Sequence, residues 1–315
     1  MKVLITGGAG FIGSNLAIKL NNLGFKIIII DDLSNGFLYN LKDIKNNIIF
    51  IKSDITNKKE IFSIFKKYKP KYVFHLAAQS SVAVSTKNPK LDRKINFRGS
   101  KNIINACIKY NALKIIYSGS GGTYYGDYFK KNNILNNFKD FAPNELCKKN
   151  PISPYGKNKA KVLTLLKKQS KIKWTALMYS NVYGPKQNPN GEAGVIAIFL
   201  KKMLNHEKPI IFGKGECIRD YIFVNDVINA NILVMDKGDS EMINISNNIG
   251  YSTIEIYDLL KKKINYNGDY IKKPFRNGDV MVSILNNRKA KNILNFSPKY
   301  SMENGLSKTI KFYKK

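Results

Sequence analysis

Lys2-Val3-Leu4-Ile5-Thr6-Gly7-Gly8-Ala9-Gly10-Phe11-Ile12-Gly13 decides the fold of this 315-residue chain. A short apolar run leads straight into glycines, and a helical pattern over 14–23 follows. A buried strand that feeds a glycine turn and opens a helix is the geometry that holds a pyrophosphate. Gly7 suits the tight turn, Gly10 leaves no Cβ between backbone and phosphate, and Gly13 lets the helix lie close to the strand. Unpaired N–H groups at the helix start contribute up to ~2 kcal/mol toward an anion when partly buried. The spacing is wider than the GxGxxG of many dinucleotide folds.

Outward from this loop, strands and helices alternate. A continuous apolar strand is expected over 25–30, as in a parallel sheet covered on both faces. It runs into Asp31-Asp32-Leu33-Ser34-Asn35-Gly36. An acid at the end of the second strand binds ribose hydroxyls and repels a 2′-phosphate, so NAD is expected rather than NADP. Further strands are expected over 48–51, 72–76, 114–117 and 174–178. Asp54 either meets the adenine or caps the helix expected over 58–68. Small residues, Ala77 and Ala78, follow the fourth strand and allow a ligand to approach. His75 reads as a packed strand residue. His206 is the only other histidine, which excludes a His-centred triad or a multi-His metal site, and no metal is expected.

A long helix is expected over 91–110, containing Asn96 and Gly99, and irregular surface chain over 127–150. The fifth strand ends in Ser118-Gly119-Ser120-Gly121-Gly122-Thr123, at the sheet edge where ligands bind in open α/β folds. Tyr155 and Lys159 lie four apart and share one face of a helix reaching about Gln169. Alone this spacing is weakly specific; after a glycine-rich NAD loop and a Ser-bearing strand end it points to catalysis. Asn181-Val182-Tyr183-Gly184-Pro185 reads as a turn and as the passage from a first domain, 1–180, to a smaller one, 181–315, some of whose segments pack back on the first. Helices are expected over 194–204, 227–236, 253–264, 288–295 and 302–313, with a turn at 213–216 before a 219–224 segment and strands near 242–246 and 269–273.

Composition bounds the partners. The net charge is +31, which admits nucleic-acid binding. Only five basic residues are arginine: Arg93, Arg98, Arg219, Arg276 and Arg288. Arginine is the residue of forked phosphate and base contacts. The lysines are spread along the chain among abundant Ile and Asn, the mark of compositional bias, so no specific nucleic acid is expected. No apolar run nears the ~18 residues of a membrane span, the N-terminus does not read as a secretory signal, and three scattered cysteines suit a reducing cytoplasm.

These residues resemble the extended short-chain dehydrogenase/reductase family, and within it the UDP-glucose 4-epimerase-like enzymes. The markers are the 6–13 loop, Asp31, Asp54-Ile55, His75-Leu76-Ala77-Ala78, Asn96, Ser120, Tyr155 with Lys159, Asn181 to Pro185, Arg219-Asp220-Tyr221 and Arg276-Asn277-Gly278-Asp279. The resemblance implies an α/β fold: a Rossmann-type doubly wound parallel sheet with a smaller C-terminal α/β substrate domain. It implies NAD held by Gly7, Gly10, Phe11, Ile12, Gly13, Asp31, Asp32, Asn35, Asp54, Ile55, Leu76, Ala77, Ala78, Asn96, Tyr155, Lys159 and Tyr179. Ser120, Tyr155 and Lys159 would be catalytic. Asn181, Arg219 and Arg276 would bind the diphosphate of a UDP-sugar, Asp279 its nucleoside, and Val195 and Phe199 its uracil. A homodimer would form through helices near 91–110 and 155–169.

The implied reaction is C4 epimerisation of a UDP-hexose through a 4-keto sugar. Lowering a tyrosine from ~10 to ~7 needs about 4 kcal/mol. A lysine at ~4 Å supplies roughly that at an effective dielectric of 20. Alternatives are a 4,6-dehydratase, a UDP-glucuronate epimerase or decarboxylase, and a non-catalytic NAD-binding module. Dehydratases place an acid pair after the catalytic Ser or Thr, where this chain has Gly121-Gly122. Ser283 aligns with a sugar-gating position, and its small size implies tolerance of N-acetylated sugars. Three departures stand out: Met178 for arginine, Gly119 for serine and Asn277 for proline.

Overall fold

β1 (Lys2–Thr6) is buried at every residue after its first. A strand apolar on both faces must be covered on both. The computed structural model describes residues 1–132, 141–190, 194–275 and 279–314. In it α1 (Phe11–Asn22) follows β1, starting three residues earlier than its apolar pattern suggests. β2 (Lys26–Asp31), β3 (Ile48–Lys52), α2 (Lys58–Tyr68) and β4 (Tyr72–His75) come next. Asp31 is thus the last residue of β2 itself. Two short helices follow, α3 (Val82–Lys87) and α4 (Pro89–Asp92). α4 runs through a π-helical stretch, Arg93–Gly99, into α5 (Ser100–Lys109), so the long helix expected here is not uniform. Asp92, Asn96 and Ser100 all point inward from it, at 0–2% exposure.

β5 (Lys114–Ser120), α6 (Gly121–Tyr125), α7 (Tyr128–Lys131), α8 (Pro154–Lys168) and β6 (Lys173–Tyr179) complete the first part. The 127–150 stretch is not simply surface chain. Phe129 is buried and clusters with Val282 and Ile284, and the Glu145 carboxylate accepts the Asn244 N–H at 2.7 Å. Residues 133–140 lie outside the described chain. Asn181–Tyr183 is not a turn but a strand, β7.

After α9 (Val195–Leu204) come β8 (Ile210–Phe212), β9 (Ile218–Phe223) and α10 (Val224–Leu233). β10 (Glu241–Ile245), β11 (Gly250–Ser252), α11 (Thr253–Ile264), β12 (Ile271–Lys273), β13 (Val282–Ser283), α12 (Arg288–Leu294) and α13 (Met302–Tyr313) close the chain.

Among the described residues seven strands form one parallel sheet, ordered β10-β6-β5-β4-β1-β2-β3. The winding reverses between β1 and β4, which opens a crevice at their carboxyl ends. A smaller sheet has the order β11-β9-β13, with β7 also paired to β9, and β12 pairs β8. One apolar cluster runs from Val3 and Leu16 through Phe199 and Tyr257 to Ile310. The opposite face of the sheet is covered by a second cluster that includes Ile64, Ile103 and Leu163 from α2, α5 and α8. Among the described residues no helix is long and apolar enough to cross a membrane.

Candidate functional site

A cavity of about 930 Å³ starts at the β1/β4 crevice and extends to the smaller sheet. At its first end Gly7 turns with φ +70°. A Cβ there would stand 2.7 Å from Ala77 N, and one at Gly13 would stand 2.1 Å from Gly7 O. Only glycine lets β1, the loop after β4 and the start of α1 approach this closely, and the residues between them, Gly10 to Gly13, face the cavity. This cradle fits a dinucleotide pyrophosphate.

Asp31 stands in the cavity wall. Its two carboxylate oxygens accept the N–H groups of Ala9 and Leu33, each at 2.9 Å. Burial pushes this carboxyl above its ordinary value, and Asp32 adds to the rise against the backbone bonds. Asp32, Asn35 and Ile55 line the same end, as does Asp54. The Asp54 carboxylate holds Thr56 N and Oγ1, both at 2.8 Å, and the cap of α2 is Asn57 instead. His75 is a packing residue. Its ring bonds Thr6 Oγ1 at 2.7 Å and Ser100 Oγ at 2.8 Å, and burial with the nearby Lys159 charge lowers it to about 3.

The middle of the cavity is built by β5 and α8. Ser153 caps α8 by accepting Gly156 N at 3.1 Å, with Pro154 at its first turn. A Cβ at Gly156 would lie 2.8 Å from Thr123 O, so the helix start sits directly on the residues after β5. That contact brings Tyr155 close to Ser120, whose hydroxyl favours the phenolate. Lys159, one turn on, donates to Ser118 O at 2.8 Å and lies over the rings of Tyr117 and Tyr155, 5.0 and 5.9 Å from their centroids. Burial pushes Tyr155 up to about 12, against the Ser120 hydroxyl and with help from Asp92. Burial also lowers Lys159 to about 8, while Asp92 opposes the fall.

Leu76, Ala77, Ala78, Tyr179, Asn181, Arg219, Asp279 and Ser283 line the cavity with these groups. Arg219 Nη1 donates to Ile218 O at 2.9 Å and Met281 O at 3.3 Å, which fixes the guanidinium against β13. Three expected contacts stand elsewhere. Asn96 is buried behind the wall, with its amide taken up by Gln79 N, Gln79 O and Asp92; it shapes the 77–80 loop from outside the cavity. Phe199 belongs to the core, edge-on to Tyr257, and Val195 is off the cavity; Ile196 and Gly194 line it instead. Periodicity located the helix but not its phase. Arg276 and Asn277 lie outside the described residues.

Lys186 was missed. It lines the cavity, donates to Asn40 O at 2.5 Å, and is lowered to about 8 by burial. Nothing in the sequence separates it from the other lysines. Next to it Asn188 bonds Asn35 at 2.9 Å, tying the chain after β7 to the loop after β2.

Comparison with known proteins agrees with this geometry. Residues 3–250 match the model of the NAD dependent epimerase/dehydratase family. UDP-glucose 4-epimerase of Mycolicibacterium smegmatis is 32% identical, over 100% of this chain and 99% of its own length. The crystal structure of Thermotoga maritima UDP-glucose 4-epimerase with UDP-glucose superposes with a TM-score of 0.94 at 42% identity, covering 100% of this chain and 99% of that one. UDP-glucose 4-epimerase of Thermus thermophilus in complex with NAD gives 0.91 at 31% identity, again over 100% and 99%. With its glycine cradle, acid-ended second strand and full-length likeness to such enzymes, the chain belongs to the NAD dependent epimerase/dehydratase family.

Proposed function

We propose that this protein inverts C4 of a UDP-hexose, interconverting UDP-glucose and UDP-galactose, with Ser120, Tyr155 and Lys159 as the catalytic group. The observation that carries the reading is that Ser120 and Tyr155, with Lys159 one turn further along α8, line one cavity with the glycine cradle. Gly7, Gly10, Gly13 and Asp31 would hold NAD, which would supply the hydride acceptor for C4. Tyr155 takes the proton of the C4 hydroxyl and later returns it to the opposite face. Ser120 holds the same hydroxyl. Lys159 binds ribose hydroxyls and favours the phenolate. Without ligands Tyr155 stays protonated at neutral pH. Bringing it from about 12 to ~7 takes roughly 7 kcal/mol, more than one lysine at ~4 Å supplies at an effective dielectric of 20. The rest of the shift would come from the bound cofactor and sugar.

Dehydration fits less well. A Cβ at Gly121 would lie 2.3 Å from Leu285 Cδ1, and one at Gly122 2.7 Å from Ser283 Oγ. The place of the acid pair is filled by packing. Arg219, Asn181 and Asp279 lie at the far end of the cavity, where the nucleotide diphosphate would sit. We further infer a homodimer through α5 and α8 and a cytoplasmic location.

Incubation of purified protein with UDP-glucose, UDP-galactose and UDP-N-acetylglucosamine, with the C4 configuration read by NMR, tests the proposal. Tyr155→Phe should abolish turnover and leave NAD bound; near-normal turnover by that variant would sink the assignment.

A further inference from the structure

Asp92 closes α4 with no exposed surface. A buried carboxylate is costly unless it is hydrogen-bonded and balanced by charge. Hydrogen bonds come from three amides. Gln79 Nε2 reaches Oδ1 at 3.0 Å, Asn96 Nδ2 reaches it at 2.7 Å, and Asn158 Nδ2 reaches Oδ2 at 2.7 Å. All three donors are uncharged, so they solvate the carboxylate without neutralising it. Asn158 is the immediate neighbour of Lys159 on α8, and Lys159 is itself buried. A buried carboxyl group and a buried lysine therefore stand on the two sides of the α4–α8 contact, joined through Asn158, which bonds Asp92 and precedes Lys159.

We propose that Asp92 is a positioning residue for the reaction, its buried carboxylate supplying the negative charge that balances the Lys159 ammonium at the cofactor site. This rests on the reading of Ser120, Tyr155 and Lys159 as the catalytic group. The titratable groups against Lys159 are His75 from β4, Tyr117 from β5, Tyr155 from α8 and Asp92 from α4. Of these only Asp92 is a carboxyl group, and the two phenols are pushed up by burial. Asp92 acts on the phenol as well, raising Tyr155. Its removal therefore moves both groups in one direction, toward lower pH. A role confined to packing would lower activity without translating the profile.

Asp92→Asn is the first test. The new amide keeps Oδ1 for Gln79 and Asn96, and Asn158 can turn over to offer its oxygen to the new Nδ2, so the shape is preserved. Lys159 is titrated in the NAD-loaded protein by 13C NMR of labelled lysine, its resonance assigned by its loss in Lys159→Met. The expected result is a midpoint about one pH unit or more below that of the unaltered protein, with Asp92→Glu restoring most of it. An unchanged midpoint overturns the proposal. Should Asp92→Asn fail to fold, Asp92→Glu and Asp92→Gln share a length and differ in charge, and equal midpoints in that pair overturn it as well. In parallel the pH profile of UDP-glucose turnover should shift to lower pH in Asp92→Asn. If the unaltered protein turns over no UDP-sugar, the reading of the function fails, while the Lys159 midpoint still decides the role of Asp92.

Discussion

Gly119 and Met178 sit directly opposite each other on the paired strands β5 and β6. A Cβ at Gly119 would stand 2.3 Å from Met178 Sδ and 3.1 Å from Leu177 O. Two departures that look independent in the sequence are one packing solution: the methionine sulfur occupies the space a side chain at 119 would need. Gly119→Ser should cost about 1–3 kcal/mol by overpacking. In a Met178→Ala background the same change should cost less than ~1 kcal/mol, read as coupling in a double-mutant cycle of urea unfolding. His75 makes a second residue-scale prediction. Folded, it stays neutral down to about 3, whereas an unfolded histidine takes a proton near its ordinary value of ~6.5. The unfolded chain therefore binds more protons between these limits, and stability is lost as pH falls through them. The loss is about 1.4 kcal/mol per pH unit. Between pH 7 and pH 5 the unaltered protein should lose about 2 kcal/mol more than His75→Asn; parallel slopes would contradict the buried neutral state.

At the scale of elements, three strand starts are fastened together. Lys114 opens β5 and Lys173 opens β6, and both reach Asp239, just before β10, at 2.6 and 2.7 Å. Lys114 also donates to Lys237 O at 2.6 Å, and its side chain is only 1% exposed. Burial lowers this ammonium and Asp239 pulls it back up. Asp239→Asn leaves Lys114 without its counter-charge and should destabilise the fold by about 3 kcal/mol, measured by urea unfolding, with activity retained in the folded fraction. Lys173→Ala, which removes the exposed partner, should change stability by less than ~1 kcal/mol. Elements with strong periodicity were legible in the sequence: α2 and α11 stand where their patterns place them. The β7 sequence reads as a turn because a three-residue strand has no period of its own; the strand exists through pairing with β9. The π-helical stretch was equally invisible, since Asp92, Asn96 and Ser100 acquire a common inward direction only against the loop after β4 and His75.

For the whole molecule, the cavity joins what the chain order separates. Ser283, from β13, faces Gly122, two residues after Ser120, so this end of the cavity is closed by chain more than 160 residues downstream of Ser120. Ser283→Tyr should fill this end and selectively reduce turnover of UDP-N-acetylglucosamine over UDP-glucose; equal losses on both sugars would count against gating here.

The sequence by itself determined the dinucleotide loop, the acid at the end of β2 and the Tyr155/Lys159 spacing, because each is local chemistry written within a few residues. Tertiary structure alone decided that β10 returns to the edge of the first sheet and that Asn96 supports a loop from behind. It also decided that Phe199 turns to the core and that Asp92 is held by Asn158, the neighbour of Lys159 on α8. These depend on which faces the packed elements present to one another, and helical phase and buried charge pairing have no signature until the layers are assembled.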